Sequence, residues 1–308
     1  MEDAATNSGF GVLLDWLAWL FQNIAMAFYN LAYAVSHPQL WLDWSDKQSI
    51  SRFVYYGGSS EFFFVVFTTV LIVVAIGMFY NRFLWQVVRL LEGFANTVGR
   101  FFAWAGLLMV IQQVVIVVMQ RIFSRPDIVI GLGIPIEFDI SWYAEELKLY
   151  NAMVVALCAS YTFVQGGHVR VDLFYAGARF RTKKVIDMLG SLLFMMPLSI
   201  MVWMYGWFYL WRYLIVPNPS ASDTLERMLT KSRALRWNVE TISFSPNGFS
   251  AYFLFKILLV CLAGMIFIQA VAFFCRSFLE FKEGEGSSGK YLDRDSLDEG
   301  EEAYEGTH

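Results

Sequence analysis

Six long apolar runs, each parted from the next by a polar or charged stretch, set the pattern of this 308-residue chain. An apolar run of about 20 residues matches the hydrocarbon thickness of a bilayer, so each predicts a membrane helix. The first, Trp16 to Val35, is uncharged, yet Asp15, Gln22 and Tyr29 recur every seven residues, Asn23 and Asn30 stand beside the last two, and Ala18, Ala25 and Ala32 repeat likewise. Two readings are open for it. One is a helix lying in the membrane interface with its polar stripe among the headgroups; the other, favoured here, is a spanning helix that packs on a neighbour through its small residues. The second run, Phe62 to Tyr80, is uncharged and rich in Phe, Val and Ile. The third, Phe101 to Gln120, carries Gln112 and Gln113 near its middle. A fourth helix is expected from near Trp142 to Gly167. A fifth follows over the uncharged stretch Met188 to Trp211, bent by Pro197, and a sixth over Ile257 to Cys275. The expected fold class is an all-α polytopic membrane bundle of about six helices.

Charge in the connectors gives the runs a direction, because cytoplasmic loops of membrane proteins are enriched in Lys and Arg. After the fourth run come Arg170, Arg179, Arg181, Lys183 and Lys184 against Asp172 alone. Arg82, Arg89 and Arg100 against Glu92 follow the second run, where Phe83, Leu84, Trp85, Val87, Val88, Leu90 and Leu91 suggest an amphipathic cytoplasmic helix. The loop with Arg125, Asp127, Glu137 and Asp139 is net negative and expected outside; its Gly131-Leu-Gly133-Ile-Pro135 lacks a preceding strand and a third glycine for dinucleotide binding, and reads as a turn. Alternation then puts both termini inside. The loop Arg212 to Phe249, with a short helix expected within Asp223 to Trp237, falls outside although its five cations outnumber its three anions. Ser36 to Ser60 reads as a connector with interfacial aromatic anchors Trp41, Trp44, Tyr55 and Tyr56.

Composition agrees with the pattern. Hydrophobic residues make up 57% and charged residues 16%, with a mean hydropathy of +0.48, against about 25% charged in soluble domains. The formal net charge of -4 is concentrated at the end, since residues 276–308 hold four cations and ten anions. That acidic, Gly/Ser-containing tail, residues 282–308, is expected to be disordered. Residues Met1 to Gly9 lack the basic start and cleavage site of a secretory signal, so the N-terminus is expected to be retained. Cys158, Cys261 and Cys275 all fall inside apolar runs, where a thiol acts as a small hydrophobe.

The candidate chemistry is sparse. Gly166-Gly167-His168-Val169-Arg170-Val171-Asp172-Leu173-Phe174-Tyr175 places a histidine and an Arg/Asp pair where the fourth helix reaches water. Two accounts of it stand: solvated anchors of a basic loop, or an ordered polar cluster against neighbouring helices, with Gly166 and Gly167 allowing a helix break or close approach. Glu145 and Glu146 open the fourth helix, either complementing its dipole in the first turn or, being about a turn deep, meeting a basic partner. No nucleophile, metal ligand or second acid stands at matching spacing, so no enzyme activity, metal or cofactor is expected. His37 in a connector, His168 at a helix end and His308 at the terminus do not suit a bis-histidine haem. All six runs are free of charge in their interiors, whereas a lone ion-coupled carrier places acids or bases at mid-membrane depth.

Four stretches in order, WYAEELKLYN from Trp142, GGHVRVDLFY from Gly166, KKVIDMLGSLLFMMPLSIMVW from Lys183 and KILLVCLAGMIFIQAVAFF from Lys256, resemble the small permease (Q-type) subunit of tripartite ATP-independent periplasmic (TRAP) transporters. The resemblance covers roughly residues 96 to 281. It implies a four-helix core that accompanies a much larger permease, which carries substrate and sodium, while a soluble periplasmic protein captures an acidic solute such as a dicarboxylate, keto acid or sugar acid. The acidic position opening the family's second core helix falls on Glu145 or Glu146. Its Gly/His-Val-x-Val-Asp motif falls on Gly167, His168, Val169, Arg170, Val171 and Asp172, and its Asp-x-x-Gly on Asp187 and Gly190. These are the expected interface or structural residues; the expected surroundings are the two partner proteins and lipid, in a bacterial inner membrane, with no nucleic acid. Residues 1–95 stand outside the resemblance as an N-terminal extension with two hydrophobic helices and the amphipathic segment. The alternative is a structural membrane scaffold or stand-alone channel unconnected with such a transporter.

Overall fold

The structure, a computed structural model, describes residues 9–124, 127–130, 136–166, 175, 177–238, 249 and 251–293. It is an all-α polytopic bundle, with six helices long and apolar enough to cross a membrane: Gly11–Ser36, Ser60–Phe79, Asn81–Arg121, Trp142–Val164, Phe180–Arg212 and Phe253–Glu283. This is a multi-pass membrane protein. The chain divides into two compact units, the first comprising Met1–Phe79 with Met201–Glu240 and the second Tyr80–Ile200 with Thr241–His308.

The first unit opens with helix α1 (Gly9–Ser36), followed by a single turn, α2 (Gln39–Leu42), then α3 (Lys47–Gly58) and α4 (Ser60–Phe79). The stretch read from sequence as a connector is thus largely helical. Asp46 caps α3 by accepting from the Ser49 N–H at 3.1 Å, which satisfies a donor the helix cannot. From Met201 the unit also takes in most of helix α8 (Met196–Arg212), the short paired strands β3 (Ile215–Val216) and β4 (Arg236–Trp237), and α9 (Leu225–Lys231) between them. Its core joins Ile50 and Val54 of α3 to Phe208 and Trp211 of α8 and to Ile215, Met228 and Leu235 of the loop. Asp223, buried in that loop, is held by Lys231 at 2.6 Å, by Arg227 at 3.3 Å and by the Ser220 N–H at 3.0 Å. The indole N–H groups of Trp203 and Trp207 donate to the carbonyls of Gly57 and Val54, at 2.9 and 2.7 Å.

The second unit is built on α5 (Asn81–Arg121), a 41-residue helix about 62 Å long, twice the hydrocarbon thickness. The amphipathic segment and the third apolar run expected as separate elements are therefore one helix, since no glycine or proline between Arg82 and Gln120 caps or breaks it. A β-hairpin, β1 (Asp127–Ile130) with β2 (Ile136–Asp139), leads directly into α6 (Ile140–Val164); the Gly131 to Pro135 turn lies outside the described residues. Helices α5 and α6 approach closely at Gly99, where an added Cβ would lie 2.1 Å from that of Tyr161, and the Cys158 thiol donates to the Gly99 carbonyl at 3.3 Å. Gly166 adopts φ +77°, the left-handed conformation that stops α6 at the point the paired glycines suggest.

Helix α7 (Phe180–Gly190) runs through a π-helical turn, Ser191–Met195, into α8. The irregularity falls just before Pro197, whose missing N–H and bulky ring disturb the preceding turn, and the Met196 N–H reaches back five residues to the Ser191 carbonyl. The last helix, α10 (Phe253–Glu283), is about 46 Å long and packs beside α5, α6 and α7. Residues 284–293, expected to be part of a disordered tail, are instead folded back on the bundle. A 3-10 turn at Glu285–Ser287 starts this strap, and it ends on α5 at Asp293.

Candidate functional site

The most developed polar site lies at one end of the second unit, where α10 outruns its apolar stretch. Arg276 forms a two-pronged pair with Glu92 of α5, Nε to Oε1 at 2.6 Å and Nη2 to Oε2 at 2.5 Å, with side chains only 8% and 4% exposed. Its third nitrogen donates to the Lys290 carbonyl at 2.9 Å, and its guanidinium lies 5.4 Å over the Trp85 ring. One helical turn on, Glu280 accepts from Lys184 of α7 at 2.6 Å and from the Gly289 N–H at 3.2 Å. Lys184 also lies 3.7 Å from Asp187, which accepts from the Tyr175 hydroxyl at 3.0 Å.

Charges of alternating sign therefore run from Glu92 through Arg276, Glu280 and Lys184 to Asp187. Each buried charge faces an opposite one and further hydrogen bonds, the condition under which burial of ions is tolerated. The strap covers this chain of charges. Asp293 accepts from both terminal nitrogens of Arg100 at 3.1 Å and from Asn96 at 2.9 Å, and its main-chain carbonyl accepts from Asn96 and Gln165. The Arg100 guanidinium, followed by the Asn96 amide, holds the Asp293 carboxyl below the ordinary carboxylate range. Glu283 accepts from Asn81 and from the Trp85 indole at 3.0 and 3.1 Å, which pins the end of α10 to the start of α5.

A second polar group sits at the other end of α6. Because α6 starts at Ile140, Glu145 and Glu146 lie in its second turn, too deep for the first-turn dipole account. Glu145 is buried. Glu146 accepts from Gln112 of α5 at 2.9 Å and from Tyr150 at 3.0 Å, a neutral amide and a phenol. The amide of Gln112 also reaches the Tyr143 carbonyl at 3.2 Å.

Of the other residues singled out in the sequence, Asp187 belongs to the chain of charges, and Gly190 ends α7 with open space where a side chain would project. Gly167, His168, Arg170 and Asp172 lie outside the described residues. Glu92, Arg276, Glu280, Lys184 and Asp293 were not picked out as site residues. The available signal was positional: Lys184, Arg276 and Glu280 lie within a turn or two of an apolar run, and Arg276 and Glu280 stand at i, i+4.

Among the described residues no group of three or more His, Cys, Asp or Glu could hold a metal ion, and the three cysteines are free thiols. The charge chain ties helix ends together, and Glu146 with Gln112 forms a separate polar contact between α5 and α6. These features define a multi-pass α-helical membrane protein with an ion-paired end. No family model, curated protein or solved structure matches the chain.

Proposed function

We propose that this chain is the small integral membrane subunit of a TRAP-type secondary transporter. It scaffolds a large permease that takes up an acidic solute, such as a dicarboxylate, keto acid or sugar acid, delivered by a periplasmic binding protein. The observation that carries the reading is the chain of charges. Tyr175 ends the GGHVRVDLFY stretch, Lys184 and Asp187 open the third stretch, and Arg276 and Glu280 follow the fourth on the same helix, so two of the resembling stretches meet the helix that carries the fourth at one end of one unit. A rigid brace of this kind serves a partner that moves substrate. The apolar runs carry no charged residue in their interiors, which suits a helper better than a lone ion-coupled carrier.

In this reading the chain is not an enzyme and lies in a bacterial inner membrane. Both termini and the Arg170 to Lys184 stretch face the cytoplasm, while Arg125 to Asp139 and Arg212 to Phe249 face the periplasm. Affinity purification of the tagged chain from its own membranes tests the assignment. A second, larger polytopic polypeptide is expected to be retained in stoichiometric amount, and isolation of the chain by itself under mild detergent would contradict it. Cysteine labelling tests the orientation. An impermeant maleimide applied to intact cells is expected to modify Ser222→Cys and not Thr182→Cys, and the reverse pattern would overturn the topology.

A further inference from the structure

The heptad row on α1 is left unused by the fold. This helix turns Leu20, Ile24, Ala27 and Ala34 toward its own chain; Ala27 is 1% exposed and the others are partly buried, while Trp19 packs edge-on against Phe64 of α4 at 5.2 Å. At about 100° per residue, the row Asp15, Ala18, Gln22, Ala25, Tyr29 and Ala32 points roughly 170° away from that face. All six of its residues are exposed. Phe21 and Phe28 border the row on one side, and Trp19 and Met26 on the other, so the alanines form the floor of a shallow groove between large side chains.

The polar members of the row make it more than a lipid-facing surface. Gln22 is near the centre of the 26-residue stretch Gly11–Ser36, so in a spanning α1 its carboxamide sits near the bilayer midplane. Among the described residues neither this carboxamide nor the Tyr29 hydroxyl has a hydrogen-bond partner. Lipid tails offer none, and an unsatisfied amide at that depth is costly.

We propose that the row is the contact surface of a parallel pair formed by α1 helices of two copies of this chain. A repeat of seven residues favours a left-handed pair with a helix of the same period, which a second copy supplies. Copies inserted in one orientation meet in parallel, so each position of the row faces its own counterpart. Gln22 then meets Gln22 of the second copy. A carboxamide both donates and accepts, so this pairing is self-complementary, while Ala18, Ala25 and Ala32 let the two backbones close. Asp15 lies at the end of the span, where headgroup water solvates both carboxylates. The inference is independent of the function proposed above.

Disulfide trapping in native membranes tests it, with the native cysteines kept and the wild type as background. Under a mild oxidant, Ala25→Cys is expected to give a cross-linked band at twice the chain's mass, and Ala27→Cys, which faces its own chain, no more than the background. Gln22→Leu, placed in the Ala25→Cys chain, is expected to weaken pairing about threefold to fifteenfold. Because Gln22 points away from the rest of the chain, the thermal stability of the single copy should not change. Absence of the double-mass band from both Ala18→Cys and Ala25→Cys overturns the proposal. It does so equally if Ala25→Cys reacts with an impermeant maleimide, the mark of a helix lying among headgroups, or cross-links to a protein of another mass.

Discussion

In the first unit the polar contacts between distant elements include indole N–H groups on main-chain carbonyls, Trp203 to Gly57 and Trp207 to Val54, whereas the second holds, beside its neutral contacts, buried pairs of full charges, Arg276 on Glu92 and Lys184 on Glu280. The ion pairs recorded in the first unit, from Asp223 to Lys231 and Arg227, stay within a single loop. The difference is one of consequence. An indole that loses its acceptor still packs its ring, so each such contact can fail separately at modest cost. A buried carboxylate that loses its guanidinium keeps its charge where water does not reach. The second unit is therefore braced in a nearly all-or-none manner, and its brace joins helices far apart in sequence.

The largest expected effect follows from breaking that brace. Arg276→Ala leaves Glu92 buried without its partner and is expected to cost about 3–5 kcal/mol. The measurement is thermal unfolding of the purified protein in detergent. Replacing both members with apolar residues, Glu92→Leu with Arg276→Met, should recover much of the loss, because the cost lies in the stranded charge. A double variant as unstable as the single one would place the loss in packing around α10 instead.

A smaller effect is expected in the first unit. Trp207→Phe keeps an aromatic ring in the cluster of Phe53, Trp203 and Trp211 but removes the donor to Val54. The expected loss is about 0.5–1.5 kcal/mol, the usual worth of one neutral hydrogen bond. A loss as large as that of Arg276→Ala, in the same unfolding assay, would remove the contrast between the units.

The strap should give the smallest effect. Asp293 and Arg100 are about half exposed, so water screens their pair. The folded Asp293 carboxyl titrates below its ordinary value of about 3.9, so its contribution is complete above that pH and is lost as pH falls through the lower, folded value. Hydrogen exchange of residues 284–293 is expected to stay constant between about pH 8 and pH 5 once corrected for intrinsic rates. Asp293→Asn is expected to raise it modestly at neutral pH. A rise of exchange in the wild type between about pH 7 and pH 6 would assign the strap to another group.

The six long helices were legible because a span needs about 20 apolar residues and little else. Gly166 and Pro197 marked the end of α6 and the disturbance in the fifth span for similarly local reasons. The charge chain was not legible. Glu92 and Arg276 are 184 residues apart, and each taken alone looks like an interfacial loop charge. Helix α3 was missed because its mixture of Ser, Tyr and Gly gives no clear period, and the Asp46 cap was its one local signal. The strap looked disordered by composition because its order comes from Asn96, Arg100 and Gln165, all far away in the chain. Glu145 and Glu146 lie two residues deeper in α6 than the sequence suggests, because β2 leads straight into the helix at Ile140 rather than near Trp142.

The central claim is that this chain braces a transporter without itself carrying solute. Proteoliposome uptake measures it most directly, with vesicles holding this chain, the large permease or both, supplied with the binding protein, a sodium gradient and a panel of dicarboxylates, keto acids and sugar acids. Uptake is expected only where both membrane proteins are present. Uptake by vesicles holding this chain alone, or undiminished uptake by the large permease without it, would contradict the account.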